Sequence, residues 1–300
     1  MVTLKQINYA LAVAKTLHFK NAADACFISP STLSMAIADL EAQLGVKIFE
    51  RDNKKVIITQ LGRTVLEKAK EIKLHVDDFV MLGQVQAAPL SVPISLGIIP
   101  TISPYLLPIV LPILKKSYPN LRLKITEDQS NNLKEKVQQG DIEMAILALP
   151  MELDGLISVK FWQEDFYYIT HKDNMSAERQ EIDASELEQS ELLLLEDGHC
   201  LKDHALAACK FAGTPQYNMK VSSLSTLVQL VAGNMGSTLV PHMALGQLLS
   251  STPLLAKAHL NQPSPHREIA IIARPNYSGI KNVEYLAEIF ANALHESLTV

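Results

Sequence analysis

The sequence has 300 residues, of which 48% are hydrophobic, enough to fill the cores of about two domains. Its net charge of -5 argues against a protein that coats nucleic acid regardless of sequence. It contains no run of about 18 apolar residues and no basic-then-apolar leader, and its three cysteines are too few for a secreted disulfide framework. We therefore expect a cytoplasmic protein that makes no use of a membrane.

The first 62 residues predict a small helical domain with a β-hairpin. The apolar spacing indicates helices over Leu4–Thr16, Asn21–Cys26 and Pro30–Leu44. Ser29 is a cap for the third helix, and Gly45 ends it. Two short apolar runs around a charged turn, within residues 47–59, predict the hairpin.

The second and third helices have the features of a helix-turn-helix, in which polar side chains early on the second helix of the motif face base edges in DNA. Alanines in the second helix allow close helix contact. The candidate base-reading residues are Ser29, Ser31, Thr32 and Ser34, and the candidate phosphate-binding residues on the hairpin are Arg51, Lys54 and Lys55. By spacing alone, other three-helix domains fit as well, and the basic hairpin can also be read as a solvated turn.

A single long helix is expected from Gln60 to about Val85, and residues 63–88 are read as a linker and dimerisation helix. Its apolar stripe comprises Val65, Leu66, Ala69, Ile72, Val76, Phe79, Val80 and Leu82. A stripe of this length predicts packing against a second copy of the chain, in a homodimer or homotetramer. Packing on the chain's own head domain is the alternative.

Residues 91–300 predict an α/β regulatory domain of two lobes. Strands at 92–98, 121–127 and 144–149 alternate with helices at 104–117 and 131–139, which indicates a mostly parallel sheet. Further strands are expected at 166–170, 192–196, 219–222 and 237–240. The strand 268–274 and the helix 282–294 return to the first lobe. Lobe I is thus 91–163 with 267–300, lobe II is 164–266, and a cleft separates them.

The cysteines differ in their sequence settings. Cys26 follows alanines in the second helix and is expected to be buried packing. Cys200 begins a helix beside His199 and near Lys202, a setting that favours a lowered thiol pKa, although two acidic residues precede it. On this local chemistry alone, inert packing of Cys200 is the favoured reading and a reactive thiolate is the alternative.

Cys209 follows Cys200 by nine residues. Nine residues of continuous helix separate two Cα atoms by roughly 13.5 Å, whereas a disulfide tolerates at most about 7 Å. The two cysteines therefore cannot bond unless the helix between them unwinds. His199 and His204 face no cysteine cluster, so neither a metal site nor a cofactor is expected.

An ordered pattern over residues 22–62 resembles the N-terminal signature of LysR-type transcription regulators. It runs Ala22-Ala23, Ser29-x-Ser31-Thr32-Leu33-Ser34, Ile37, Leu40-Glu41, Leu44-Gly45, Phe49-x-Arg51 and Thr59-Gln60-x-Gly62. The resemblance implies a winged helix-turn-helix, a long linker helix and a two-lobed, periplasmic-binding-protein-like regulatory domain. It also implies double-stranded promoter DNA and RNA polymerase as partners. One departure is that Pro30-Ser31 stands where the family often has Gln-Pro, and the recognition helix lacks a basic residue.

Later segments resemble the peroxide-sensing members of that family. They are Gly97-Ile-Ile-Pro-Thr101, Pro104-Tyr-Leu-Leu-Pro108, Glu196-Asp-Gly-His-Cys-Leu-Lys-Asp203, Cys209 with Ala212-Gly213, and Ser223-Leu-x-Thr-Leu227. This resemblance implies that hydrogen peroxide oxidises Cys200 and that Cys209 resolves it to a disulfide. The implied peroxide pocket comprises Thr101, Ser130, His199 and Asp203, with Arg274 nearby. Ser130 stands where relatives commonly have threonine.

Two rival functions stay open. A LysR-type regulator can instead sense a small organic ligand between its lobes, with structural cysteines. A thiol peroxidase is the less favoured rival, because a DNA-binding head and a dimer helix serve no catalytic purpose, so the chain is not expected to be an enzyme.

Overall fold

The computed structural model describes the chain except residues 53–54, 86–89, 177–178, 188–190, 209–220, 251 and 299–300, and it leaves out the side chains of 51–52 and 81–85. The chain divides into two compact units, Met1–Gly83 and Gln84–Val300. Among the described residues, no helix is both long enough and apolar enough to cross a membrane.

The first unit is a three-helix head with a hairpin and a long helix. Its elements are α1 (Leu4–Thr16), α2 (Phe19–Ala25), α3 (Pro30–Leu44), β1 (Phe49–Asp52), β2 (Lys55–Ile58) and α4 (Gln60–Val85). The hairpin strands pair antiparallel, and Ala22 and Ala23 of α2 and Leu33 of α3 are fully buried in a common core. The predicted helices and hairpin of the head are confirmed, with different bounds for α2. This helix begins two residues earlier than predicted, because the His18 ring caps it by accepting a hydrogen bond from the amide of Asn21, and it ends at Ala25.

A buried carboxylate joins α3 to the hairpin. Glu41 Oε1 accepts hydrogen bonds from the amides of Ile48 and Phe49 at 2.9 and 3.0 Å, and Oε2 binds Lys47 Nζ at 2.7 Å. Burial raises the pKa of Glu41, but these hydrogen bonds and the lysine charge outweigh it and lower the pKa below its ordinary value of 4.5. Glu41 therefore supports the hairpin as an anion.

The apolar stripe of α4 has two parts within the first unit. Leu66 and Ala69 are buried, and Leu66 packs in the head core. Further along, Ile72 and Val80 are exposed, and Phe79 is 75% exposed. The first turns therefore pack on the head, as the alternative reading predicts, while the later turns carry an apolar surface that stays exposed in the single chain.

The second unit contains two sheets and the helices that cover them. Its elements are β3 (Ile94–Ile98), α5 (Ser103–Ser117), β4 (Leu123–Glu127), α6 (Ser130–Gln139), β5 (Met144–Leu149), β6 (Ile157–Glu164), β7 (Phe166–His171), a 3-10 turn (Lys172–Asn174), β8 (Glu181–Asp183), α7 (Ala184–Leu187), α8 (Cys200–Ala208), α9 (Leu224–Ala232), β9 (Thr238–Pro241), α10 (His242–Ser250), β10 (Leu255–Asn261), β11 (Arg267–Ala273) and α11 (Ile280–Leu298).

Each sheet forms one lobe. The first has strand order β4-β3-β5-β11-β6, with β3 parallel to β4 and β5, and with β11 antiparallel to both β5 and β6. The second has the order β8-β10-β7-β9. The chain crosses between the lobes twice, at Asp165 between β6 and β7, and at residues 262–266 between β10 and β11. The central strand β5 is buried along its whole length, as its continuous apolar sequence requires.

Two strand predictions in the second lobe were not met. Leu192–Glu196 forms only an isolated bridge, from Leu192 to Ser237, because the hydroxyl of Thr238 takes the carbonyl of Leu193 in place of a ladder partner. Of the predicted strand 219–222, residues 219 and 220 lie outside the described residues, and Val221 and Ser222 are not in a strand. The strands β6, β8 and β10 and the helices α7 and α10 were not predicted from the sequence.

Replacing Glu41 by alanine should weaken the attachment of the hairpin by about 1.5–3 kcal/mol, the range for hydrogen bonds to a charged group. Amide hydrogen exchange at Ile48 and Phe49 should accelerate accordingly. Because the folded pKa of Glu41 is lowered, the protection should be complete above about pH 4.5 and should be lost as the pH falls through the lowered value. The exposed Glu50 supplies the control: Glu50→Ala should leave both amides unchanged, and equal effects of the two variants would contradict the assignment.

Candidate functional site

A narrow crevice lies beyond the carboxyl end of β3, where three helices begin. Thr101 follows β3 just before α5, Ser130 is the first residue of α6, and Cys200 is the first residue of α8. The crevice has about 150 Å³ of space between atoms, none of it wide enough for a water molecule. Its lining consists of Ile99, Pro100, Thr101, Gln129, Ser130, Gly198, His199 and Cys200. Helix N-termini favour negative charge, so this position suits an anion such as a thiolate.

The Cys200 thiol is enclosed, although the residue as a whole is partly exposed. Burial raises the thiol pKa above its ordinary value of 9.0. The Ser130 hydroxyl, the Arg267 guanidinium and the Ala148 amide act in the opposite direction without overcoming burial, and the charge of Asp203 adds to the rise. The expectation of a lowered pKa at this helix terminus was wrong, because enclosure of the sulfur outweighs the groups that would stabilise a thiolate.

Ser130 is the crevice hydroxyl beside that thiol. It is only 5% exposed, and its Oγ makes no hydrogen bond of ordinary geometry with any described residue. Even so, it lies close enough to the sulfur to lower the pKa of Cys200. A buried hydroxyl without a well-formed bond is costly, so Ser130 Oγ has hydrogen-bonding capacity beside the sulfur that no described residue takes up.

The polar neighbours of Cys200 on its own segment face different directions. His199 is buried in the crevice lining, and burial lowers its pKa, so the ring is neutral at pH 7. Lys202 binds Asp197 at 2.5 Å, which directs its charge to that carboxylate. Asp203 is exposed on the outer face of α8 and does not line the crevice, so its predicted place in the pocket is not met.

Arg274 was expected near the pocket, but it lies at the opposite edge of the sheet. β11 runs antiparallel to β5, so its first residue lies beside the carboxyl end of β5 and its last beside the amino end. Arg274 follows that last residue and binds the carbonyls of Val137 and Ile142. Seven residues earlier, Arg267 begins β11 at the crevice edge, roughly 20 Å away along the strand.

Arg267 forms a buried network beside the crevice. Its Nε and one terminal nitrogen bind Glu164 Oε1 at 2.7 and 2.6 Å, and both side chains are 0% exposed. The guanidinium also reaches the hydroxyl and the carbonyl of Thr101, each at 3.5 Å. Glu164 Oε2 accepts the amide of Met243 at the start of α10, at 2.8 Å.

His204 ties α8 to the first lobe. Its Nε2 lies 3.1 Å from the carbonyl of Pro150, just beyond β5, so the proton resides on Nε2. The other ring nitrogen is buried and has no partner among the described residues. Burial lowers the pKa of His204, so the ring is neutral at pH 7. The helix that begins with the thiol is therefore held across the lobes by its second turn.

In the head, the polar residues at the start of α3 form a small network. Ser29 Oγ accepts the amide of Thr32 at 3.1 Å and lies 2.8 Å from the hydroxyls of Ser31 and Thr32. These three side chains are exposed, whereas Ser34 is half-buried. On the hairpin, Lys55 is exposed, Arg51 lies in β1, and Lys54 is outside the described residues, as is Cys209 in the second unit.

The sequence interpretation missed Gln129, Ala148, Glu164 and Arg267. The signal available was the position of the two charged residues, which directly flank apolar strands at the points where the chain changes lobes. Among the described residues, no group of three histidine, cysteine or acidic side chains could hold a metal ion.

A winged helix-turn-helix joined to a two-lobed domain with an interior crevice defines a one-component, DNA-binding transcription regulator. Residues 4–63 match the family described as bacterial regulatory helix-turn-helix protein, lysR family, and residues 87–294 match the LysR substrate binding domain. The chain belongs to the LysR family of transcription regulators, which confirms the predicted fold class.

Three proteins, two known by sequence and one by structure, are similar to this chain over most of its length. The transcriptional regulator EstR of Acinetobacter baylyi is 38% identical over 276 residues, which cover 91% of this chain and 90% of EstR. The DNA-binding transcriptional dual regulator OxyR of Escherichia coli is 33% identical over 288 residues, covering 96% and 94%. The structure of a hydrogen-peroxide-bound OxyR mutant from Corynebacterium glutamicum is 35% identical, covers 99% and 94%, and has a TM-score of 0.67. These relatives are regulators and not enzymes, as was expected of this chain.

Replacing Gly198 by alanine should disturb the turn before Cys200. Gly198 has φ +94°, and an added Cβ would lie 2.3 Å from Gln129 Oε1 in the crevice wall. We expect a loss of about 1–2 kcal/mol from backbone strain, together with faster alkylation of Cys200 as Gln129 is displaced. Gly155 has φ +86° and open space around it, so Gly155→Ala should show the strain in thermal unfolding without the change in alkylation. Unchanged Cys200 alkylation in Gly198→Ala would show that Gln129, which lines the crevice, does not limit access to the sulfur.

The raised pKa of Cys200 predicts a specific pH profile for alkylation by iodoacetamide. The thiolate is the reactive form, so the rate should rise about tenfold for each step of one in pH from 6 to 8. It should reach no plateau below pH 9, because the thiol pKa lies above its ordinary value. Free glutathione, followed in parallel, gives the reference profile, and a plateau for Cys200 below that of glutathione would contradict the enclosed-thiol assignment.

Proposed function

We propose that this LysR-type regulator senses hydrogen peroxide through Cys200, with Cys209 as the resolving thiol. The observation that carries the proposal is the meeting of Cys200 with Thr101, Ser130 and His199 in one small polar crevice. Further support comes from the relatives named for peroxide, including the peroxide-bound OxyR structure. Asp203 acts on this site through its charge, and Arg267 takes the role expected of Arg274.

The proposed chemistry has two balanced steps. The Cys200 thiolate attacks one oxygen of hydrogen peroxide, the O–O bond breaks, hydroxide leaves, and the sulfur becomes a sulfenic acid. The Cys209 thiol then attacks that sulfur, a disulfide forms, and water leaves. The two thiols supply two electrons, and peroxide is reduced. The Ser130 hydroxyl and the neutral His199 ring are the groups that would orient peroxide and its leaving oxygen.

Disulfide formation would require α8 to unwind. The helix is continuous from Cys200 to Ala208, so their Cα atoms are about 12 Å apart. The Cα of the next residue can lie only 3.80 Å beyond Ala208, which leaves more than the roughly 7 Å that a disulfide spans. Unwinding would also remove the bond from His204 to Pro150. Oxidation of one sulfur would thus release a contact between the lobes.

The signal would then pass to DNA through an assembly of identical chains. We assign residues 1–62 to promoter binding, 63–88 to dimerisation and 91–300 to sensing, with lobe I as 91–163 and 267–300 and lobe II as 164–266. The exposed apolar turns of α4 support a homodimer or homotetramer. The proposed DNA contacts are Ser29, Ser31, Thr32 and Ser34 on α3 and Arg51, Lys54 and Lys55 on the hairpin. RNA polymerase is the partner through which a cytoplasmic regulator would alter oxidative-stress genes.

A second candidate function is the sensing of a small organic ligand between the lobes, with structural cysteines. Two observations favour it. EstR is more identical to this chain than OxyR of E. coli, and the Cys200 pKa is raised. In that case peroxide would leave the regulator unchanged.

Peroxide titration of the full-length reduced protein tests the proposal. Micromolar hydrogen peroxide should link the Cys200 and Cys209 peptides in a disulfide detected by mass spectrometry, and should change the DNA footprint on a bound promoter. Cys200→Ser should abolish both effects, whereas Cys26→Ser, which alters a residue at the end of α2, should preserve them. Absence of the disulfide in the unaltered protein would favour the ligand-sensing candidate.

A further inference from the structure

The buried pair of Glu164 and Arg267 holds charges of opposite sign away from water. Both side chains are 0% exposed, and the closest N–O distance is 2.6 Å. Burial of such a pair carries a desolvation cost that its attraction only partly offsets, and removal of one partner leaves the other charge uncompensated. Whatever faces the guanidinium therefore experiences a field that depends on Glu164.

The groups that face Arg267 come from several elements. Its charge lowers the pKa of Cys200 and of His204 on α8, and it also lowers the pKa of Tyr105 on α5, which burial raises to about 12. Asp203 on α8 acts on the thiol with the opposite sign, and His199 lies buried beside the thiol in the crevice wall. Because Arg267 also reaches Thr101, which lines the crevice together with Cys200, an ionised Cys200 sulfur would be a second negative charge that attracts the guanidinium.

The geometry of Glu164 determines which negative group Arg267 binds, the Glu164 carboxylate or an ionised Cys200 sulfur. Two guanidinium nitrogens bind its Oε1, whereas the nitrogen directed at Thr101 Oγ1 makes only a long contact of 3.5 Å. Its Oε2 is fixed by the Met243 amide, so the carboxylate cannot turn away without losing that bond. Arg267 is therefore committed to Glu164 in this state.

We propose that Glu164 is a positioning residue that holds Arg267 on its own carboxylate and so restrains ionisation of the Cys200 thiol. The inference rests on the proposed function, in which that thiol is the sensor. Glu164 contacts neither the sulfur nor the crevice, so it acts only through Arg267. Loss of its charge should leave the thiolate as the strongest partner for the guanidinium and make Cys200 more reactive, not less.

The test is the pH profile of Cys200 alkylation by iodoacetamide in full-length variants. Trypsin separates the two relevant cysteines, because Lys202 and Lys210 end their peptides. Glu164→Gln should raise the rate at pH 7 by about tenfold by moving the midpoint of the profile to lower pH, whereas Arg267→Gln should lower the rate. The plateau at high pH reports access to the sulfur and separates that effect from ionisation. Glu164→Asp, which keeps the charge, should restore a midpoint near that of the unaltered protein.

Glu268→Gln is the matched control, since Glu268 adjoins Arg267 in sequence but binds Lys160 outside the crevice, and its profile should be unchanged. If the midpoint pH of Cys200 alkylation in Glu164→Gln is equal to or higher than that of the unaltered protein, the proposal is overturned. If that variant does not fold, the uncharged pair Glu164→Gln with Arg267→Gln takes its place and should match Arg267→Gln alone. If the Cys200 alkylation rates at pH 7 of the double variant and of Arg267→Gln differ by more than about threefold, Glu164 acts independently of Arg267, and the proposal is equally overturned. Because no arm uses peroxide, failure of the peroxide titration is a separate result.

Discussion

The ion pair between Arg267 and Glu164 lies where the two lobes are connected. Glu164 ends the strand that leaves the first lobe, and Arg267 begins the strand that returns to it. The same guanidinium reaches Thr101 in the crevice wall, and the same carboxylate holds the start of α10 in the second lobe. The crevice wall and the start of α10 in the second lobe are therefore both attached to one buried ion pair.

Much of the fold follows from local patterns. The limits of α1 and α3 follow from caps, apolar spacing and a terminal glycine, all of which act within a few residues. The strands β6 and β10 were missed because their exposure pattern depends on which helices cover them, and Leu192–Glu196 looked like a strand although its partner offers only one bridge. Local sequence reports the tendency to extend but not the presence of a neighbour.

The sequence predicted several of the residues that line the crevice better than it predicted the electrostatic environment of the thiol. Thr101, Ser130 and Cys200 each sit where a strand or loop turns into a helix, and their common pocket was expected from the resemblance to peroxide-sensing relatives. The thiol pKa rises because the folded chain encloses the sulfur, and this burial outweighs Ala148 and Arg267, which lower the pKa. The residues adjacent to Cys200 in sequence do not report that enclosure. The choice of Arg274 over Arg267 failed for a related reason: both flank one strand, and only the antiparallel pairing with β5 decides which end meets the crevice.

The tightness of the crevice sets a size limit on oxidants. Its interior space of about 150 Å³ does not admit even water in this state. A tripeptide disulfide such as oxidised glutathione is far too bulky to reach the Cys200 sulfur, and ordinary thiol exchange with the surrounding pool is blocked by the same walls. Hydrogen peroxide is far smaller than such a disulfide and would need a correspondingly smaller opening of the crevice. In the resting protein, the size of the crevice, and not an unusually nucleophilic Cys200 thiol, would then be what distinguishes peroxide from larger oxidants.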